Sequence, residues 1–243
     1  MIGKIYIYYI AKTMKRQMQS FVAWSSRIGA ILMTVMMLIP VAVRAGSENT
    51  APKTHEDNIA VNSRVLVIRA LDNVKSNYYD DYLLAENTDV AQDSVNQVYN
   101  GVVEHNLQKA GTGLHFVNMD DHMLNGSLWQ PIVSNIVLTG EGENLRADLS
   151  AISKADLKKA MQAAGAQYLL VIDAQYLRYT EKPMPMMYHF VNYSLYDSDE
   201  QKLTSGQNYF SAYQPQRKAE LAKASMKTVK KIAEQVSKVI KAQ

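Results

Sequence analysis

The sequence predicts a single α/β domain with a mixed β-sheet, ordered as strand, helix, strand, helix, then a three-strand antiparallel meander and a C-terminal amphipathic helix. Three observations lead to this fold class. A capped helical stripe passes through a glycine directly into an apolar strand at residues 168–172. Two further strand-like runs follow it across polar turns. From Pro215 onward, apolar residues recur at helical spacing opposite a row of lysines.

The helix and strand at residues 153–179 organise the rest of the chain. Ser153 is a typical helix N-cap, and Asp156, three residues later, completes a capping box. Gly165 can adopt the left-handed conformation that ends a helix. The run that follows is apolar throughout, which is typical of a strand covered on both faces. We therefore expect helices on both sides of this strand.

The hydrophobic pattern predicts two strands before this unit, with a helix between them. The strands are residues 64–71 and 114–119. The helix begins near Thr88 or Asp89 and ends at Gly111.

Two segments of the first half show no regular periodicity. Residues 72–87 match neither a helix nor a strand, which predicts a loop. Residues 120–149 hold Pro131 and several glycines, which predict turns, with an extra strand or hairpin arm at residues 132–138.

The end of the chain predicts a hairpin and then a long helix. Strands at residues 187–196 and 203–213 flank a polar turn, and the helix covers residues 215–241. Its lysine face could attach the protein to an anionic membrane surface. The favoured interpretation is a helix packed on the sheet with solvated lysines, because its apolar face lacks aromatic residues. The lysines of this face are Lys223, Lys227, Lys230, Lys231, Lys238 and Lys241.

The first 45 residues have the layout of a secretory signal peptide. A basic segment precedes an apolar block at residues 28–39, and small residues at Val43 and Ala45 form a cleavage site before Gly46. A start at Met14 would give a basic segment of conventional length. The block is shorter than the roughly 18 residues of a spanning helix, which favours cleavage over a retained membrane anchor.

Cleavage would leave a flexible leader at residues 46–62 and an α/β envelope domain at residues 63–243. Six of the 26 Lys and Arg, and none of the 23 Asp and Glu, lie in residues 1–45, so cleavage changes the net charge from +3 to −3. This balance argues against nucleic-acid binding. The chain has no Cys, which excludes disulfides, a cysteine–zinc site and a lipoprotein cysteine.

Motifs of catalysis are missing from the sequence. It holds no phosphate-binding glycine loop, no Gly-x-Ser-x-Gly elbow and no His-Glu-x-x-His zinc motif. The best metal candidate is Asp120-Asp121-His122, which a metal-dependent hydrolase could use. Adjacent strand residues point to opposite faces, so a polar turn is the favoured interpretation. We therefore predict no catalytic residue, no cofactor and no metal ligand.

Three tyrosines form the first candidate for partner binding. Tyr78, Tyr79 and Tyr82 lie among acidic residues in the segment without periodicity. Aromatic side chains with a polar tip are favoured at protein interfaces. Burial in the core is the alternative interpretation.

The second binding candidate is a methionine-rich turn. Met184 and Met186 alternate with prolines at the tip of a predicted hairpin, and methionine adapts to varied contacts. Packing under the sheet edge is the alternative. Trp129, near a predicted turn, is a weaker third candidate.

The order of elements and several local matches carry a family resemblance. These matches are the opening strand Val65–Ile68, the strand after a helix at Leu114, the junction Gly165–Val171 and the hairpin between Leu195 and Leu203. Together they resemble the periplasmic domain shared by the curli secretion factor CsgG, the penicillin-binding-protein activator LpoB and the N-terminal domain of TolB. The resemblance implies an accessory domain of the envelope that acts by contact rather than turnover. It carries over neither the lipoprotein anchor nor any functional residue.

The sequence therefore predicts an exported, non-enzymatic protein of the bacterial cell envelope that binds another envelope protein of unknown identity. The metal-dependent hydrolase and the membrane-surface protein stay open as alternatives. An oligomer is compatible with the sequence.

Overall fold

The computed structural model describes residues 63–119 and 126–243. The predicted signal peptide, residues 1–45, and the predicted leader, residues 46–62, lie outside the described residues. The Asp120-Asp121-His122 cluster also lies outside them.

The described residues form a mixed α/β domain. The strands are β1 (Arg64–Arg69), β2 (Val74–Ser76), β3 (His115–Asn118), β4 (Val137–Thr139), β5 (Arg146–Asp148), β6 (Tyr168–Thr180), β7 (Met186–Asp197) and β8 (Lys202–Ala212). The α-helices are α1 (Asp81–Thr88), α2 (Val95–Gln108), α3 (Gln130–Ser134), α4 (Lys154–Ala163) and α5 (Lys218–Lys241).

Six of these strands form the main sheet of the described residues, in the order β3-β1-β6-β7-β8, with β2 paired to β6. Strands β3, β1 and β6 are parallel, and β6, β7 and β8 are antiparallel. The predicted mixed sheet with a three-strand antiparallel meander is therefore confirmed. Strands β4 and β5 form a separate hairpin.

The core lies on both faces of the sheet because the middle of β1, residues 65–68, and the first part of β6, residues 169–172, are apolar without interruption. Val65 and Val67 point to the face covered by α2 and α5, whereas Leu66 and Ile68 point to the face covered by α3, α4 and the β4–β5 hairpin. In β6, Leu170 is 0% exposed. The unbroken apolar run thus marks a strand with two covered faces, as expected.

Local chemistry explains why the central unit folds as predicted. The Ser153 hydroxyl accepts a hydrogen bond from the backbone N–H of Asp156 at 3.4 Å and caps α4. Gly165 has a φ of 63°, the left-handed geometry that ends this helix.

The segment at residues 72–87, predicted as a loop, instead contains β2 and all of α1 except Thr88. Helix α1 shows little periodicity because Leu84 and Thr88 are its only buried residues. Asp80 caps it, its carboxylate accepting from the backbone N–H of Leu83 at 2.8 Å.

The strand or hairpin arm predicted at residues 132–138 is only partly present. Helix α3 occupies the first part, and β4 begins at Val137. The prediction is wrong at Pro131, which was interpreted as a turn signal, because proline also fits the first turn of a helix.

Helix α5 packs its apolar face on α2 and β8, as predicted. Its seven lysines, which include the six of the predicted lysine face, are exposed. Asn106 of α2 donates hydrogen bonds to the Ala222 carbonyl at 2.8 Å and the Ser225 hydroxyl at 3.0 Å, which tie the two helices together. Within the described ranges, every helix is too short or too polar to cross a membrane.

Candidate functional site

The segment that carries the candidate tyrosines is fixed to the sheet by a serine. The Ser76 hydroxyl donates to the Leu177 carbonyl of β6 at 2.7 Å. The same oxygen accepts from the backbone N–H groups of Tyr78 and Tyr79 at 3.1 and 3.0 Å. The turn that presents both rings is therefore held by hydrogen bonds to a strand in the middle of the fold.

An asparagine side chain extends this attachment by one residue. The Asn77 amide donates to the Tyr179 carbonyl at 3.0 Å and accepts from the Tyr179 N–H at 2.7 Å. It thereby imitates a paired strand residue and satisfies both backbone groups at the end of β6.

Three aromatic rings meet at this point. The centroid of the Tyr78 ring lies 4.9 Å from Tyr79 and 4.8 Å from Tyr179, and Tyr79 lies 5.9 Å from Tyr179. These separations are typical of favourable aromatic pairs. We call Tyr78, Tyr79, Tyr82 and Tyr179 the tyrosine patch.

The members of the tyrosine patch differ in burial. Tyr78 is 57% exposed, and Tyr82, on α1 rather than in a loop, is 60% exposed. Tyr79 is half-buried and packs against the cluster of Leu84, Leu177 and their neighbours. Burial and the adjacent Tyr179 and Tyr78 raise the pKa of Tyr79 above its ordinary value, which keeps its hydroxyl neutral.

The methionine candidates lie at the same end of the sheet. The turn at residues 181–185 begins two residues after Tyr179 and joins β6 to β7. Met184 is 52% exposed, and Met186 is half-buried opposite Thr180. The two candidates that the sequence suggested separately are thus neighbours in the fold.

Trp129 lies elsewhere and has little surface to offer. It is 4% exposed and packs in the core beneath β1 with Ile132 and Met161. We therefore leave it out of the candidate surface.

A second aromatic cluster on the opposite face of the long strands was not predicted. Tyr188 and Phe190 of β7 lie 6.0 and 5.3 Å from Tyr209 of β8, which is 57% exposed. The Arg178 guanidinium lies 5.2 Å from the centroid of Tyr188 and pairs with Glu143. Tyr188 and Phe190 are two residues apart on one strand, and this spacing puts them on the same face. The position of Tyr209 beside them depends on the register of β7 and β8.

Polar side chains are also buried between the sheet and α2. Asn100 accepts from Asn73 at 3.2 Å and from Gln175 at 2.9 Å, and Gln175 lies 2.9 Å from His189 Nε2. His189 is 1% exposed, and burial lowers its pKa to about 3. Its Nδ1 and the hydroxyl of the neighbouring Tyr99 make no hydrogen bond with the described residues. Burial raises the pKa of Tyr99.

A buried carboxylate lies at the irregularity in β6. Asp173 is 0% exposed, accepts from the Ser194 hydroxyl at 2.8 Å, and has its pKa raised to about 6 by burial. A cavity of about 260 Å³ nearby is lined by Tyr196 and Lys202 but not by Asp173. This carboxylate therefore reaches neither solvent nor the cavity, and its hydrogen bond with Ser194 joins β6 to β7.

Amide side chains fasten the β4–β5 hairpin on the same face. Asn192 donates to the carbonyls of Glu143 and Leu145 at 2.9 and 2.8 Å, and Gln207 donates to the Glu143 carbonyl. Within residues 63–119 and 126–243, no group of three or more His, Asp or Glu could hold a metal ion.

Comparisons with known proteins give distant likenesses only. No protein-family model and no curated protein matches the chain. The hypothetical protein CT253 of Chlamydia trachomatis is 10% identical, with a TM-score of 0.45 over 75% of this chain and 99% of that one. A PelC dodecamer protein of Paraburkholderia phytofirmans is 10% identical, with a TM-score of 0.35 over 75% and 91%. The LpoB C-terminal domain of Salmonella enterica is 14% identical, with a TM-score of 0.29 over 60% and 81%. At these values the likenesses assign neither a family nor a function.

Proposed function

We propose that this chain is a non-enzymatic accessory protein of the bacterial cell envelope that binds another protein through the tyrosine patch and the adjoining turn at residues 181–185. The envelope location rests on the layout of the first 45 residues, a basic segment, a short apolar block and a small-residue cleavage site.

The observation that carries the proposal is the meeting of two distant segments at one end of the sheet. Tyr78 and Tyr82 come from the start of the domain, and Tyr179 and Met184 come from the β6–β7 hairpin. Tyr78, Tyr82 and Met184 each expose more than half of their surface. Tyrosine gives a large contact area for a small loss of conformational entropy on binding, and rigid scaffolds often present binding loops.

Photo-crosslinking in living cells tests the proposal. A benzoylphenylalanine placed at Tyr78 or Tyr82 should give one discrete adduct with a partner protein. Met226, 50% exposed on α5, is the control position and should not give that adduct. If positions 78, 82 and 184 all give no discrete adduct, or give the same products as position 226, the proposal is wrong.

A pair of variants separates binding from folding. Tyr78→Ala combined with Tyr82→Ala should lower the melting temperature by only a few degrees, because both rings are more than half exposed and each ring contact of Tyr78 contributes about 1 kcal/mol. The same double variant should lose the adduct from a probe at Met184. Tyr79→Ala should lower the melting temperature further than the double variant does, because this ring packs on the core. A large loss of stability in the double variant would contradict an exposed binding surface.

A further inference from the structure

The surroundings of the tyrosine patch indicate the chemistry of its partner. We infer that the partner presents a basic segment, rich in Arg and Lys, which lies against Tyr78, Tyr82 and the carboxylates beside them. The inference rests on the proposed function and specifies it further.

Charge around the tyrosine patch is one-sided. Residues 72–93 hold six Asp or Glu and a single basic residue, Lys75. Lys75 is already paired with Asp72. Asp89 is paired with Arg217 at 3.0 Å. The unbalanced charge of this surface is therefore negative.

Two carboxylates next to the tyrosines are available to a partner. Asp81 and Glu86 lie on α1 and make no ion pair with any other residue of the described chain. Asp80 uses one carboxylate oxygen to cap α1 and keeps the other for a further donor. Because Asp80 caps α1, its negative charge also interacts favourably with the N-terminus of this helix.

A groove brings these acids and the rings together. It has a volume of about 400 Å³, and its lining includes Tyr79, Tyr82, Asp80 and Asp81. Three carboxylates and one ammonium line it, and that ammonium, of Lys75, faces its own partner Asp72. The groove therefore has a net negative charge beside its aromatic rings.

This combination suits guanidinium and ammonium groups. A cation gains from the face of a tyrosine ring, and arginine can also pair with a carboxylate through two hydrogen bonds. A purely apolar partner would have to cover Asp80, Asp81 and Glu86 without replacing the water they bind, which is costly. An acidic partner would be repelled. A basic segment is therefore the occupant whose chemistry suits both the carboxylates and the aromatic rings.

Charge-neutralising variants test the inference in the crosslinking assay. Asp81→Asn with Glu86→Gln removes two charges at nearly constant volume. With the probe at Tyr78, this variant should reduce the adduct by about fivefold, the size expected for the loss of two exposed ion pairs. The control Glu220→Gln with Glu234→Gln removes two charges from α5 and should leave the adduct unchanged. Equal adduct yields from both double variants and the parent would overturn the inference while leaving the proposed function standing.

A binding measurement with a defined probe decides the inference without the cellular partner. The mature protein is titrated with a 12-residue peptide of alternating Arg and Ser, and with a second peptide carrying Glu in place of Arg. The Arg peptide should shift the amide resonances of residues 76–92, and the binding should weaken as salt screens the charges. The Glu peptide should leave them unshifted. The inference would be overturned if the shifts were confined to other residues or if both peptides had equal effects. It would also be overturned if copies of the chain associated with one another in a way that does not depend on salt. If the crosslinking gives no adduct at all, the proposed function fails, and this titration still reports on the charge preference of the groove.

Discussion

The buried His189 connects a single side chain to the stability of the whole domain. Its neutral ring sits among Tyr99, Phe210 and Gln175, where a charge would have no compensating partner. Since its pKa is about 3 in the folded protein, the unfolded chain binds more protons between pH 3 and 6.5. This group therefore contributes its full stability above pH 6.5 and loses it as the pH falls toward 3.

Replacement of His189 by Gln should weaken this acid sensitivity. The Gln amide can still donate to Gln175 but has no proton to gain in this range. We expect the free energy of unfolding of the parent to fall relative to His189→Gln between pH 7 and pH 4, measured by urea unfolding. The exposed His115→Gln is the control and should keep the parental profile. A parallel profile for His189→Gln would show that His189 does not titrate as described.

Asp173 predicts the opposite dependence on pH. Its pKa is raised to about 6, so the folded protein binds more protons between pH 3.8 and 6, and stability falls as the pH rises through this window. A shift of about two units corresponds to roughly 3 kcal/mol. Asp173→Asn keeps an acceptor for Ser194 and never ionises. It should be more stable than the parent at pH 8, with the difference vanishing near pH 4 in urea unfolding. A variant less stable than the parent at pH 8 would mean that the ionised carboxylate is required.

Among the secondary-structure elements, the predictable ones were those with a recognisable helix cap, glycine stop or apolar run in the sequence. A serine cap, a glycine stop and an unbroken apolar run identify α4 and β6, because each feature has a direct structural cause. Helix α1 escaped prediction because its exposed surface carries no periodic pattern. Helix α3 escaped it because Pro131 fits either a turn or a helix start. The pairing of β2 with the far end of β6 depends on a contact about a hundred residues away, which local patterns do not contain.

The central position of β6 predicts the effect of a buried charge. Leu170→Asp should prevent cooperative folding, because the carboxylate would be buried among apolar side chains of β1, β7 and α5 with no partner. Leu71→Asp is the matched control, since Leu71 is 59% exposed just after β1. Circular dichroism during thermal melting distinguishes them. A native-like transition for Leu170→Asp would contradict the position of this strand.

In β8, the close approach of Tyr193 leaves no room for a side chain at position 206. A methyl group added at Gly206 would come within 2.4 Å of the Tyr193 hydroxyl, which donates to Gln235 of α5 at 2.8 Å. Gly206→Ala should therefore displace this tyrosine and lower the melting temperature by several degrees, as expected for an overpacked core. Gly101→Ala is the control, because nothing lies within 4 Å of the added carbon, and it should match or exceed the parental stability. Equal melting temperatures for the two variants would show that Tyr193 can move freely.

For the whole molecule, the sequence identified residues of the candidate site but did not predict that they lie together. The tyrosines and methionines were recognisable by composition, but their meeting at one end depends on the Asn77–Tyr179 pairing. The charge is also distributed unevenly over the domain. Acidic residues surround the tyrosine patch, and the exposed lysines lie along α5. The formal net charge therefore says little about either surface.

The proposed export predicts that the first 45 residues are removed. In the proposed signal peptide, Val43 and Ala45 supply the small residues of the cleavage site, just after the apolar block. The intact mass of protein from an envelope fraction should correspond to a chain that begins at Gly46. Ala45→Leu should block cleavage, because the peptidase pocket admits only small side chains, and it should leave a heavier, membrane-retained precursor. Ala42→Leu, outside the two positions, should be processed normally. A parental mass that still includes the apolar block would indicate a membrane-anchored protein instead.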